Sequence, residues 1–229
     1  MKSRIKLAAL VVLALAATGA AMRWIAPPPG RTNAPGGLRT VAADFAWLRT
    51  NVEWERRDAA RTRLWLNVVV ALDPRPLYFW VNGARMMAYD FPAWQRADGG
   101  APAGTREALE FLRRAMAVHP DSAALWIERA NVELNGTHDL AAAAASYRHA
   151  SELPGAPYFC ARLHAELLRR LGRKTEALAW LARLHPRLPP DDEAAEANVV
   201  LARIRELERE LGVPAAHAYR PPHPGATDR

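Results

Sequence analysis

The sequence predicts an all-α protein built from helical hairpins set side by side, and three observations carry that expectation. From Ala42 onward no stretch alternates apolar and polar residues as a half-buried strand does, while apolar residues recur at steps of three and four through nearly every segment. Turn-forming clusters of Pro, Gly, Asn and Asp interrupt that pattern at helix-length intervals. Two of these interruptions carry the same mark. In VVALDPRPLYFW (Val69–Trp80) and AMAVHPDSAALW (Ala115–Trp126), a proline precedes a tryptophan by six residues.

The chain begins differently. MKSRIK leads into LAALVVLALAATGAAM, an uncharged run from Leu7 to Met22, followed by Arg23 and Trp24. At about 1.5 Å per residue the run spans roughly 24 Å, short of a hydrocarbon core of about 30 Å unless Lys6 and Arg23 snorkel and Trp24 and Ile25 sit at the interface. Residues 1–25 are therefore read as a transmembrane signal anchor, the membrane contact running through residues 5–25. The competing reading is a cleaved signal peptide, since Gly19, Ala20 and Ala21 offer the small residues a peptidase needs. Basic residues flank the run on both sides, and the short leading flank favours the amino terminus inside. Residues 26–41, APPPGRTNAPGGLRTV, are rich in Pro and Gly and are read as a stalk.

Residues 42–212 form the expected helical domain. Its helix-length blocks run from Ala43 to Arg57, Asp58 to Leu72, Leu77 to Tyr89, Arg106 to Val118, Ser122 to Leu134, Asp139 to Glu152, Pro157 to Leu171, Thr175 to His185, and Asp191 to Leu211. Thr105, Asp121 or Ser122, and Thr137 are the expected caps, and Gly136 in NGT serves a turn between helices. The last block opens on carboxylates and carries Ala197, Val200, Leu201, Ile204, Leu207 and Leu211 on one stripe, as a helix covering the end of a stack would. Residues 213–229, with several prolines and no periodicity, are read as a disordered tail.

Between the proline marks the order of residues is a bulky one, a small one four later, a turn, an alanine, another bulky one and a closing proline. From Tyr158 to Asp191 the small residue, turn, alanine, second bulky residue and closing proline of this order are Ala165, Gly172, Ala177, Leu181 and Pro189. The preceding stretch has Trp126, Ala130, Ala143, Tyr147, Ala150 and Pro154. An earlier one has Trp80, Ala84, Ala108, Leu112, Ala115 and Pro120, with the extra segment FPAWQRADGGAPAG between its two helices. This order resembles the tetratricopeptide (TPR) repeat. The resemblance implies a TPR-like α-solenoid of about three to four helical hairpins plus a C-terminal capping helix. In it small residues let paired helices approach, and Trp80 and Trp126 fill the space between neighbours. The opening GGLRTVAADFAWLR also resembles the start of membrane-anchored bacterial repeat proteins.

The same resemblance implies a concave groove lined by the first helix of each unit, receiving a peptide or helix of another protein. On this chain that face carries Tyr78, Val81, Arg85, Tyr89, Ile127, Asn131, Leu134, Arg162, Glu166 and Arg169. The extra segment, with Phe91 and Trp94, is the other candidate surface, either a binding element or a lid.

Chemistry is not expected. The chain has no Gly-rich phosphate loop, nucleophile elbow or paired-His metalloprotease pattern. Cys160 is the sole cysteine, which excludes an intrachain disulfide and leaves no thiol near residue 20 for a lipid. Cys160 and His164, one turn apart, make half of a zinc site, so no metal and no cofactor is expected. The net charge of +7 is carried almost wholly by arginine. Beside so many alanines this reads as base composition and a solvated surface, and nucleic acid is not the expected partner. The expectation is a non-enzymatic adaptor or scaffold on a bacterial inner membrane. It would be single-pass, with its C-terminal domain in the periplasm, or released there after cleavage. The alternatives are an accessory subunit of an envelope enzyme or secretion machine, and an arginine-rich binder of anionic polymer or lipid.

Overall fold

The computed structural model describes residues 36–97, 104–189 and 192–221. The apolar run at 7–22, most of the stalk, residues 98–103 and the last eight residues lie outside the described part. The described residues are helical, with no strand among them, and no helix among them is long and apolar enough to cross a membrane. The chain divides into two compact units meeting at Gly104 and Thr105.

The first unit holds α1 (Gly36–Glu55), α2 (Ala59–Leu72), α3 (Leu77–Arg85) and α4 (Phe91–Ala97). α1 starts inside the segment read as stalk. With no proline between Pro35 and Pro74, nothing stops the apolar pattern of Leu38 and Val41 from joining the helix. α1 and α2 pack along their length, separated by a turn in which Arg57 takes a left-handed φ of 57° and Asp58 caps α2 by accepting from the Arg61 N–H at 2.9 Å. The start of α1 is tied to the α2–α3 turn through Asp73. Its carboxylate accepts from Thr40 Oγ1 at 2.8 Å and from Arg75 Nε at 2.8 Å. The Arg75 guanidinium, with Thr40 helping, overcomes the opposing effect of burial and holds the Asp73 carboxyl down at about 2. Trp80 is buried and donates from Nε1 to the Pro74 carbonyl at 2.8 Å. Trp47 meets Tyr78 and Phe79, with ring centroids 5.2 and 5.4 Å away.

The first part of the extra segment is helical. α3 runs through a π-helical turn, Met86–Asp90, directly into α4. Pro92 accounts for the widening: it has no N–H to give, and its ring crowds the carbonyl four residues back, so the turn ahead of it opens and the Phe91 N–H reaches Met86 O instead. Gly104 then lies against this turn so closely that an added Cβ would stand 2.1 Å from Met87 O.

The second unit holds α5 (Gly104–Val118, from Thr105 on), α6 (Ala123–Asn135), α7 (Leu140–Glu152), α8 (Phe159–Arg170), α9 (Lys174–Leu184) and α10 (Ala197–Glu210). Contacts follow chain order: α6 on α7, α7 on α8, α8 on α9, α9 on α10. Ala130, Ala143, Ala144, Tyr147, Ala150, Cys160 and Leu167 make one core among α6, α7 and α8. Ala165, Leu168, Ala177, Leu181, Val200, Ile204 and Leu207 make a second among α8, α9 and α10. α8 contributes to both.

Details differ from the sequence reading. The cap of α7 is Asp139, which accepts from the Ala142 N–H at 2.9 Å, whereas Thr137 turns back to donate to Glu133 O. Thr105 lies inside α5, and Ser122 makes no side-chain cap. Gly136 has an ordinary φ of −94°. Glycine is needed there for closeness, since a Cβ would meet Thr105 Cγ2 at 2.6 Å, and the left-handed residue of that turn is His138, φ 57°. Trp126 lies 4.1 Å from the tilted His149 ring of α7 and packs on the core that α6 and α7 share with α8. Trp180 of α9 also links neighbours: it donates to Ala161 O at 3.0 Å and lies under the Arg148 guanidinium of α7.

The block Asp191–Leu211 is broken. A 3₁₀ turn, Glu193–Ala195, capped by Asp192, precedes Glu196 at a left-handed φ of 48°, and only then does α10 begin. Residues 213–221 are also less open than a disordered tail, because the Tyr219 N–H donates to Glu208 and its hydroxyl meets His185 Nδ1 at 3.1 Å.

The Gly104 contact yields a measurable expectation. Gly104→Ala forces a backbone shift against Met87, and overpacking of this kind costs about 1–3 kcal/mol. Urea unfolding of that variant is expected to show a lowered midpoint, whereas an unchanged midpoint contradicts the close approach.

Candidate functional site

α8 and α10 flank a cleft of about 200 Å³. Its floor is apolar, formed by Leu163, Ala165, Val200 and Leu207, with Val199 at the edge and 54% exposed. Its rim is charged. Three residues of the expected groove face, Arg162, Glu166 and Arg169, meet here, joined by Arg203 from α10.

The rim is braced from within. Arg162 pairs with Glu196 at 2.8 Å and donates to Ala195 O at 3.2 Å, so it clamps the left-handed turn that starts α10. That contact holds a non-glycine residue in a costly conformation and sets where α10 begins. Arg169 makes a two-pronged bond to Glu166, at 2.8 and 3.0 Å, and Arg203 approaches the same carboxylate at 3.7 Å. The Arg169 bond is the main cause that lowers the Glu166 carboxyl, with the charge of Arg203 adding to it, so Glu166 stays ionised at neutral pH.

Volume decides what the cleft can take. Small-molecule sites run to about 300–1,000 Å³ and enclose most of their ligand. A cleft of about 200 Å³ with an apolar floor and ionic rim suits one or two side chains of a peptide, whose backbone or charged flanks meet Arg162, Arg203 and Glu166.

The remaining candidates are placed elsewhere. Asn131 accepts from the Tyr147 hydroxyl at 2.6 Å, and Ile127 and Leu134 lie half-buried on the core of α6, α7 and α8. These three serve the hairpin. Tyr78, Val81 and Arg85 lie on α3 and Tyr89 on its π-helical continuation, in the first unit. Tyr78 is largely exposed. Phe91 is fully buried, and Trp94 packs on it and on Trp54, with centroids 5.5 and 6.4 Å away. The aromatic residues of the extra segment are thus packed among themselves and α1. Sequence reasoning missed Arg203 and Val199. Both lie on the block read only as a cover, and the signal for them was their position on its polar side beside Val200 and Leu207.

Cys160 is fully buried, and burial pushes its thiol up to about 11, where it is a poor nucleophile. His164 Nδ1 faces Ala144 O at 2.8 Å, which fixes Nδ1 as the donor, while its ring meets Trp180 edge-on. The described residues contain no group of three or more His, Cys, Asp or Glu able to hold a metal ion.

Burial lowers the His164 pKa from its ordinary value near 6.5. A histidine kept neutral in the fold adds nothing above that value, where both states are neutral. Below it the unfolded chain takes up a proton that the fold resists, so stability falls. Denaturation from pH 7.5 to 5.5 is expected to show this fall in the wild type and a flatter profile in His164→Leu. Equal slopes contradict a neutral, buried imidazole.

No protein-family model matches the chain, and no curated protein matches it.

Proposed function

We propose that this chain is a membrane-tethered, TPR-like α-solenoid of the bacterial cell envelope that binds another protein and performs no chemistry of its own. The α8–α10 cleft carries the reading: an apolar floor sized for side chains, with a rim of arginines arranged around one ionised glutamate. The order of contacts in the second unit supports a repeat architecture, since each helix packs on its chain neighbours and α8 is shared between two cores. The apolar run Leu7–Met22 supports the tether, and its short basic leading flank supports an inner-membrane anchor with the following residues in the periplasm.

Against an accessory role mediated by the aromatic segment stands the packing of Phe91 and Trp94 onto Trp54.

A photo-crosslinking residue at Val199, in the full-length chain within cells, tests the reading. The expected result is one discrete protein adduct that falls about tenfold in Arg203→Glu, equivalent to about 1.4 kcal/mol of binding. The same residue placed at Arg183 on α9, away from the cleft, is expected to give none. No adduct from Val199, or equal adducts from both positions, overturns it.

A further inference from the structure

α1 is apolar on two opposite faces. One carries Ala43, Ala46, Trp47 and Thr50, all buried, toward the body of the first unit. At 100° per residue the other face lies nearly half a turn away and carries Leu38, Val41, Phe45 and Leu48, which are 43%, 41%, 68% and 60% exposed. Val52, partly buried, continues the line. The spacing alternates three and four residues, which is the a/d seam of a coiled coil with Leu38, Phe45 and Val52 at a, and Val41 and Leu48 at d. Scattered exposed apolar residues need no account, but a helical seam about 21 Å long, formed by five of them in register, does.

The residues beside the seam indicate what covers it. Asp44 and Asn51 fall at g, and Ala42, Arg49 and Arg56 at e. In a parallel pair of identical helices each g residue faces the e residue five further on in its partner. That sets Asp44 against Arg49 twice, and Asn51 against Arg56 twice. An antiparallel pair sets Asp44 against Asn51 and Arg49 against Ala42, with no charge pair. Asp44 is exposed, and Arg49, which leans on Glu53 at 2.7 Å, keeps nearly half its side chain in solvent. The occupant whose charges complement this stripe is the stripe itself.

We propose that the protein self-associates through α1, two copies aligning their Leu38–Val52 seams in parallel, with Asp44 of each against Arg49 of the other. The face used is the one turned away from the α1–α2 contact, so pairing requires no change in the fold of the unit. The seam is short, so the dimer is expected to dissociate on dilution.

Sedimentation of the full-length chain in mild detergent tests this. The expected mass is twice the monomer's, reverting to the monomer's in Phe45→Glu with unchanged helicity, because Phe45 touches solvent and not the core. In a Cys160→Ser background, Val41→Cys is expected to form a disulfide-linked dimer, since d residues face their own copies in a parallel pair. In an antiparallel pair the two thiols lie about 16 Å apart along the axis. Leu64→Cys, exposed on α2, is the control and is expected to stay monomeric. A monomeric wild type, a dimer indifferent to Phe45→Glu, or no cross-link at Val41→Cys each overturns the proposal. So does a monomer that binds phosphatidylglycerol vesicles through Phe45, which would make a bilayer the occupant.

Discussion

The second unit depends on α8 being buried from two sides. A helix of twelve residues presents Cys160 and Leu167 to α6 and α7, and Ala165 and Leu168 to α9 and α10. Small side chains make the double burial feasible, since Ala144 and Ala161 let neighbouring backbones come close enough for His164 to reach Ala144 O and for Trp180 to reach Ala161 O. These two bonds join three successive helices with polar groups satisfied inside an apolar setting.

The candidate cleft follows from the same arrangement. Because α8 sends its inward residues to the two cores, Arg162, Glu166 and Arg169 are left on a third face, and α10 closes the other side with Val199 and Arg203. Arg162 couples the two sides by holding the Ala195–Glu196 turn. The cleft is therefore part of the packing that ends the unit, and the strain at Glu196 is sustained by a residue of its rim. α1 poses the opposite problem, with one face used by its own unit and an equally apolar face left to solvent.

Much of this was legible in the sequence because helix periodicity and turn residues act locally. The α2, α5 and α7 boundaries fall within about two residues of expectation, as do the small residues Ala130 and Ala165 at close packing points. The departures arise where a distant contact decides. Pro92 reads as a loop signal, yet a π-helical turn absorbs it. Glu196 reads as mid-helix, yet Arg162, thirty-four residues earlier in the chain, stabilises a left-handed turn there. Trp180 carried no proline mark in the sequence, and only packing shows that it reaches from α9 to Ala161 and Arg148. In the cleft, Arg162, Glu166 and Arg169 were selected by their helix face, whereas Asn131 on an equivalent face was already engaged by Tyr147.

Sharing of α8 between two cores implies that disturbance travels by neighbour and fades with distance along the unit. Native-state hydrogen exchange on Ile204→Ala measures this most directly, since Ile204 is fully buried in the α8–α10 core. The account expects faster exchange in α9 and α10, a smaller rise in α8, and little change in α6. A uniform rise from α5 to α10 would contradict it, because it would mean one undivided core.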